Sequence, residues 1–308
     1  MAHELDIING KASMAYMGET PWHGLGTRLQ PGMTIPEWRT AAGLDYTVES
    51  ATVQYQDSTD NPRFYDTKRV LYRSDTGKPL SVVGNGYKVV QPEQVMDFFE
   101  SLTKNSGFEM ETAGVLFEGK RIWALARAGE SKFVGRDEIR PYVLLATSFD
   151  TSMATTARFT SVRVVCNNTL TMAQSSGVDK YGLSVHHGKV FNNTKAILSL
   201  GVQDSKFGEF ITSLSTLADK QLHEEEAYEM TKALVQPKGK PAGDRTFSKI
   251  MALFNGGAIG YDQSGGNTAY TWLNAVTETV DHHRTAGVAM FGAGEILKNR
   301  ALELVSQG

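Results

Sequence analysis

The chain has 308 residues and a single cysteine, Cys166. One thiol forms neither an intramolecular disulfide nor a cysteine-based zinc site, so a reducing compartment, the cytoplasm, is expected. No run of about 18 apolar residues occurs. The opening MAHELDIINGKASMAYMGETPWHG has no basic stretch followed by an apolar one, so neither a membrane span nor a signal peptide is expected. With nine prolines and no low-complexity tract or internal repeat, the composition argues against disorder.

Charge of one sign is also missing. The formal net charge is -3, so no global basic field draws the protein to nucleic acid, and an anionic partner needs a local patch. Nucleotide motifs are absent as well. Gly256-Gly257 and Gly265-Gly266-Asn267-Thr268 fit no G-x-x-x-x-G-K-[ST], and no G-x-G-x-x-G follows a strand, which argues against a nucleotide-driven motor or a dehydrogenase. No G-x-S-x-G or H-E-x-x-H is present either, and no cofactor is expected.

What remains is an ordinary globular mix, 41% hydrophobic and 21% charged, in a chain long enough to bury a core without staples. Thr34-Ile-Pro-Glu37 is a capping box, so a helix to about Ala42 is expected. Strand-like segments follow at Tyr46 to Tyr55, Val70 to Tyr72 and Tyr87 to Val90. Pro92 opens a helix in which Val95, Phe98, Phe99 and Leu102 repeat at helical spacing. Phe108 to Phe117 and Arg121 to Ala128 read as a hairpin, Pro141 to Ser148 and Arg158 to Cys166 as strands, and Asn167 to Ala173 as a helix. Beyond residue 190 the apolar spacing is helical to the last residues. The expected class is α+β: residues 1–190 mixed, with an antiparallel sheet, a β-hairpin and packing helices, and residues 191–308 mainly helical.

Three features carry possible chemistry. Cys166, ahead of the expected helix, reads either as a thiol activated by a helix N-terminus or as a small packed residue at a strand end, and the second reading is preferred. Asp281-His282-His283 looks like the signature of a metal-dependent phosphodiesterase or nuclease. Adjacent histidines, however, diverge by about 100° on a helix, so a helix end is the preferred account. The third feature is residues 151–178, which contain no acid, within a block (151–190) of four Lys+Arg against one acid. Here Arg158, Arg163 and Lys180 accompany the hydroxyls and amides of Thr160 and Asn167, with Phe159 as an aromatic. Such groups hold phosphates and stack on bases, although a polar edge strand and its loop have the same composition.

GYKVVQPEQ (86–94), ETAGVLFEGKRIWALAR (111–127), PYVLLATSFD (141–150), TSVRVVCNNTL (160–170), NAVTETVDHHR (274–284) and FGAGEILKNRALEL (291–304), together with WHGLGT (22–27), resemble an uncharacterised phage/plasmid-like protein family. That resemblance implies a mobile-element origin without an assigned activity. Where the family more often reads His-Asp-Gly, this chain has Phe149-Asp150-Thr151. More loosely, the order of helix, hairpin, strands and helix over about residues 86–180 is similar to that of single-strand annealing recombinases.

The expectation is therefore a non-enzymatic, homo-oligomeric protein that binds and anneals single-stranded DNA in phage recombination or replication. It would use Arg158, Phe159, Thr160, Arg163, Asn167 and Lys180, without metal, cofactor or membrane. The alternatives are a metal-dependent phosphodiesterase or nuclease and a non-catalytic phage factor that binds another protein.

Overall fold

Asn9 and Gly10 both adopt positive φ, the conformation of a two-residue hairpin turn. They reverse the chain between β1 (Ile7–Ile8) and β2 (Lys11–Ala12). The computed structural model describes residues 5–18, 20–21, 24–163, 168–171, 182–200, 203–235, 244–283 and 293–307. β3 (Met14–Tyr16) and β4 (Thr27–Arg28) pair in parallel. α1 (Ile35–Ala41) begins at the expected capping box: the Glu37 N–H donates to the Thr34 hydroxyl, and the Thr34 N–H donates to the Glu37 carboxylate. A cap of this kind contributes about 1 kcal/mol.

β5 (Val48–Gln56), β6 (Pro62–Arg73) and β7 (Pro79–Gly84) form a separate antiparallel sheet in the order β5-β6-β7. The strand expected at Tyr87 to Val90 does not form. The Tyr87 N–H turns back to the Gly84 carbonyl and the Lys88 N–H goes to the His187 carbonyl, so neither donor is left for a ladder. α2 (Pro92–Ser106) follows, with proline in its first turn and Gly107 closing it at φ 68°.

Next come β8 (Glu109–Leu116), β9 (Arg121–Arg127), β10 (Lys132–Val134), β11 (Asp137–Ser148), β12 (Thr155–Arg163), β13 (Asn168–Thr171) and β14 (Gly182–Val185). The main sheet runs β13-β12-β11-β9-β8-β3-β4, with β10 on β11 and β14 on β12. Among the described residues only the pairing of β3 with β4 is parallel. Asn168–Thr171 was expected to be helical and is instead a strand, because Thr169 and Thr171 are β-branched and the backbone finds a ladder on β12, Thr171 facing Thr160.

Alternation along the strands sorts side chains onto two faces. Val115, Ile122, Ala124, Val143, Leu145 and Phe159 enter the main core. On the reverse face Leu116, Trp123, Leu144 and Ala146 pack against Leu5, Met14 and Tyr16 from the N-terminal strands. Gly114 is required there, since a Cβ on it would overlap the Trp123 indole.

The helices are α3 (Asn193–Leu200), α4 (Gln203–Asp219), α5 (Glu224–Val235), α6 (Asp244–Ala252), α7 (Ala269–His283) and α8 (Ala293–Gln307). α2 packs on β8 and β9, α3 on β12 and β14, α4 on β10, and α7 and α8 on β13. One core cluster thus includes Ala15 and Val305. The protein is α+β, with antiparallel sheets in its first part and helices in its second, as the sequence indicates. Among the described residues no helix is long and apolar enough to cross a membrane.

Candidate nucleic-acid interface

Strand alternation divides the residues that the sequence groups together. Arg158 lies opposite Leu144, on the reverse face, where its guanidinium is ion-paired with Glu295 in the first turn of α8. Both side chains are largely covered. Phe159, opposite Val143, points the other way and is 3% exposed within the main core. Its assignment as a base-stacking ring is corrected by this register, because no face of the ring meets solvent. Phe149 is equally enclosed. Thr160 is buried between Tyr142 and Thr171 on the neighbouring strands. The Arg163 backbone pairs with Ile139 and Asn168. Asn167, Lys180 and Cys166 lie outside the described residues.

At one end of the reverse face Arg28, Arg127 and Arg140 surround an open cavity of about 460 Å³, but Glu109 and Glu111 line it too. Arg140 lies 3.5 Å from Glu138. The Tyr142 hydroxyl donates to the Glu111 carboxylate at 2.8 Å, and burial, reinforced by the Glu111 charge, pushes the tyrosine pKa upward. This cavity is a mixed-sign network, unlike the acid-free groove a phosphate chain favours.

Asp281 accepts a hydrogen bond from the buried Lys298 ammonium at 2.8 Å, so its carboxylate is already neutralised. Among the described residues no group of three or more His, Cys, Asp or Glu side chains is placed to hold a metal ion.

Exposed aromatics occur instead on the β5–β6 hairpin. Its pairing shifts between Thr52 and Val53, and beyond that point Val53 faces Tyr65, Gln54 faces Phe64 and Tyr55 faces Arg63. Among the described residues no helix covers this ribbon, and Tyr55, Phe64 and Tyr65 are 53%, 62% and 51% exposed. Tyr55 and Tyr65 lie diagonally on one face, with Arg63 opposite Tyr55, and Phe64 takes the other.

The connecting turn is built by Asp57. Its carboxylate accepts from the Thr59 hydroxyl, the Thr59 and Asn61 N–H groups and the Arg63 guanidinium. Thr59 first, then Arg63, lowers the Asp57 pKa to about 2. Lys68 and Arg69 sit at the stem, Arg69 donating to the Ser50 hydroxyl at 3.3 Å.

Sequence reasoning passed over this ribbon because it read Tyr46 to Tyr55 and Val70 to Tyr72 as separate strands. The available signal was Asp57-Ser-Thr-Asp-Asn61, a turn-rich stretch placed between Val-Gln-Tyr and Arg-Phe-Tyr.

Thr151 adopts φ 64°, the left-handed region that glycine occupies without penalty.

No curated protein and no solved structure matches the chain. A family model does, over residues 79–302, from the first residue of β7 into α8, with the β5–β6 ribbon lying ahead of the matched segment. The chain therefore belongs to the family described as Domain of unknown function (DUF932).

Proposed function

We propose that the protein binds single-stranded DNA on the β5–β6 ribbon and anneals complementary strands, as a phage recombination or replication factor working in the cytoplasm. The observation that carries this reading is the trio of uncovered rings, Tyr55, Phe64 and Tyr65, on a hairpin that leaves the body of the protein. An aromatic ring in water loses hydrophobic stabilisation, so a cluster of them marks a contact surface. Bases stack on such rings for about 1–3 kcal/mol each, whatever their identity. Stacking engages the base faces and leaves the Watson–Crick edges open, which pairing with a second strand requires.

Arg63 supplies a cation beside the rings, and Lys68 and Arg69 supply two more at the stem, while Asp57, Asp60 and Asp66 balance them. Stacking therefore contributes more to affinity than phosphate neutralisation, and the salt dependence is shallow for a nucleic-acid binder.

The test is fluorescence anisotropy of a labelled single-stranded oligonucleotide over a salt series. A Phe64→Ala/Tyr65→Ala variant is expected to bind at least about tenfold more weakly, the equivalent of one lost stacking contact. Unchanged affinity in that variant removes the reading.

A further inference from the structure

β5 is an outer strand of its sheet. At its first residue the open side is already occupied: the Gln91 side-chain amide accepts from the Val48 N–H at 2.8 Å and donates to the Val48 carbonyl at 2.9 Å, as a neighbouring strand would. In an antiparallel ladder alternate residues turn both backbone groups to the same side. With Val48 facing outward, Ser50, Thr52 and Gln54 present theirs to the same open side, where no strand lies among the described residues.

Exposed edges are normally guarded by lysine, proline or a bulge that twists them away. From Ser50 to Gln56 there is no charged residue and no proline, and the extra residues of the pairing shift between Thr52 and Val53, residues 66–68, lie on β6 and not on the edge strand. Seven residues of this kind make an open edge about 23 Å long at 3.3 Å per residue.

We infer that β5 pairs antiparallel with the β5 of a second copy of this chain across a two-fold axis. Charge distinguishes this occupant from others. Residues 48–73 hold four acids and four bases, so the ribbon has no excess charge to repel its own copy. Those charges are unevenly distributed: the turn holds Asp57 and Asp60 against Arg63, and the stem holds Lys68, Arg69 and Arg73 against Glu49. A two-fold antiparallel arrangement brings each turn toward the partner's stem. The pairing uses only the backbone edge, so it stands independently of nucleic-acid binding. Phe64 and Tyr65, on β6, remain uncovered in it.

Sedimentation velocity at tens of micromolar protein, without nucleic acid, is the test. The wild type sediments as a dimer or a larger even assembly. Gln54→Pro weakens association at least about tenfold. Its N–H faces away from β6, so proline removes an intermolecular donor and leaves the ribbon ladder intact. Thr52→Lys/Gln54→Lys, which keeps every backbone donor but guards the edge, weakens association to a similar degree. Circular dichroism confirms the fold of each variant, and if the proline variant unfolds, the lysine pair decides.

A monomeric wild type overturns the inference, as does an assembly that tolerates the lysine pair. Phe64→Ala/Tyr65→Ala leaves the assembly intact whether or not it loses DNA, so the failure of either proposal is read separately.

Discussion

Arg158 on β12 and Glu295 on α8, 137 residues apart in the chain, form an ion pair in which both side chains are mostly covered. A residue whose composition suggested a phosphate ligand instead ties the last helix to the sheet.

Arg158→Ala is accordingly expected to act on stability. It leaves Glu295 partly buried without this partner, at a cost of about 2 kcal/mol, below the value for a fully enclosed pair because water still reaches the site. Urea unfolding measures the loss, and affinity for single-stranded DNA is expected to stay within about twofold of wild type. A large fall in affinity with unchanged stability would return Arg158 to the interface.

Thr151→Gly is expected to stabilise the protein by about 1 kcal/mol, because a β-branched residue pays a steric cost in the left-handed region that glycine avoids. The midpoint of thermal or urea unfolding checks it. A destabilised variant would mean that the Thr151 backbone does not hold positive φ in solution.

The Asp57 turn supplies a pH signature. A carboxyl held below its ordinary value of 3.8 contributes order that is complete above that value and lost as pH falls through about 2. The amide chemical shifts of Thr59 and Asn61, whose N–H groups the carboxylate accepts, are expected to titrate together with a midpoint near 2. In Asp57→Asn that transition disappears. A midpoint at the ordinary value would show the turn to be unformed in solution.

Local chemistry made much of this fold legible. The capping box at Thr34, the proline-led α2, the hairpin of β8 and β9 and the apolar run of β11 are all encoded within a few residues of themselves. Two segments escaped for non-local reasons. Asn168–Thr171 is a strand because β12 offers it a ladder, and Tyr87–Val90 is not one because its donors find carbonyls elsewhere.

The candidate site was harder to see. Composition grouped Arg158, Phe159 and Thr160 by adjacency, whereas a period of two assigns neighbours to opposite faces, and only the register reveals which face the helices cover. Tyr55, Phe64 and Tyr65 were inconspicuous for the complementary reason. Aromatic residues in a strand ordinarily signal burial, and nothing in the sequence tells that these three rings are more than half exposed.

The inclusion of Ala15 and Val305 in one core also bears on how the protein comes into being. During synthesis β12 and β13 emerge long before α7 and α8, which pack on β13, and before Glu295, which meets Arg158. Until α7 and α8 have left the ribosome, the sheet keeps an apolar flank in water. Nascent protein is thus vulnerable to aggregation until those helices emerge, and a ribosome stalled in the α6–α7 segment releases a product that chaperones must hold or proteases remove.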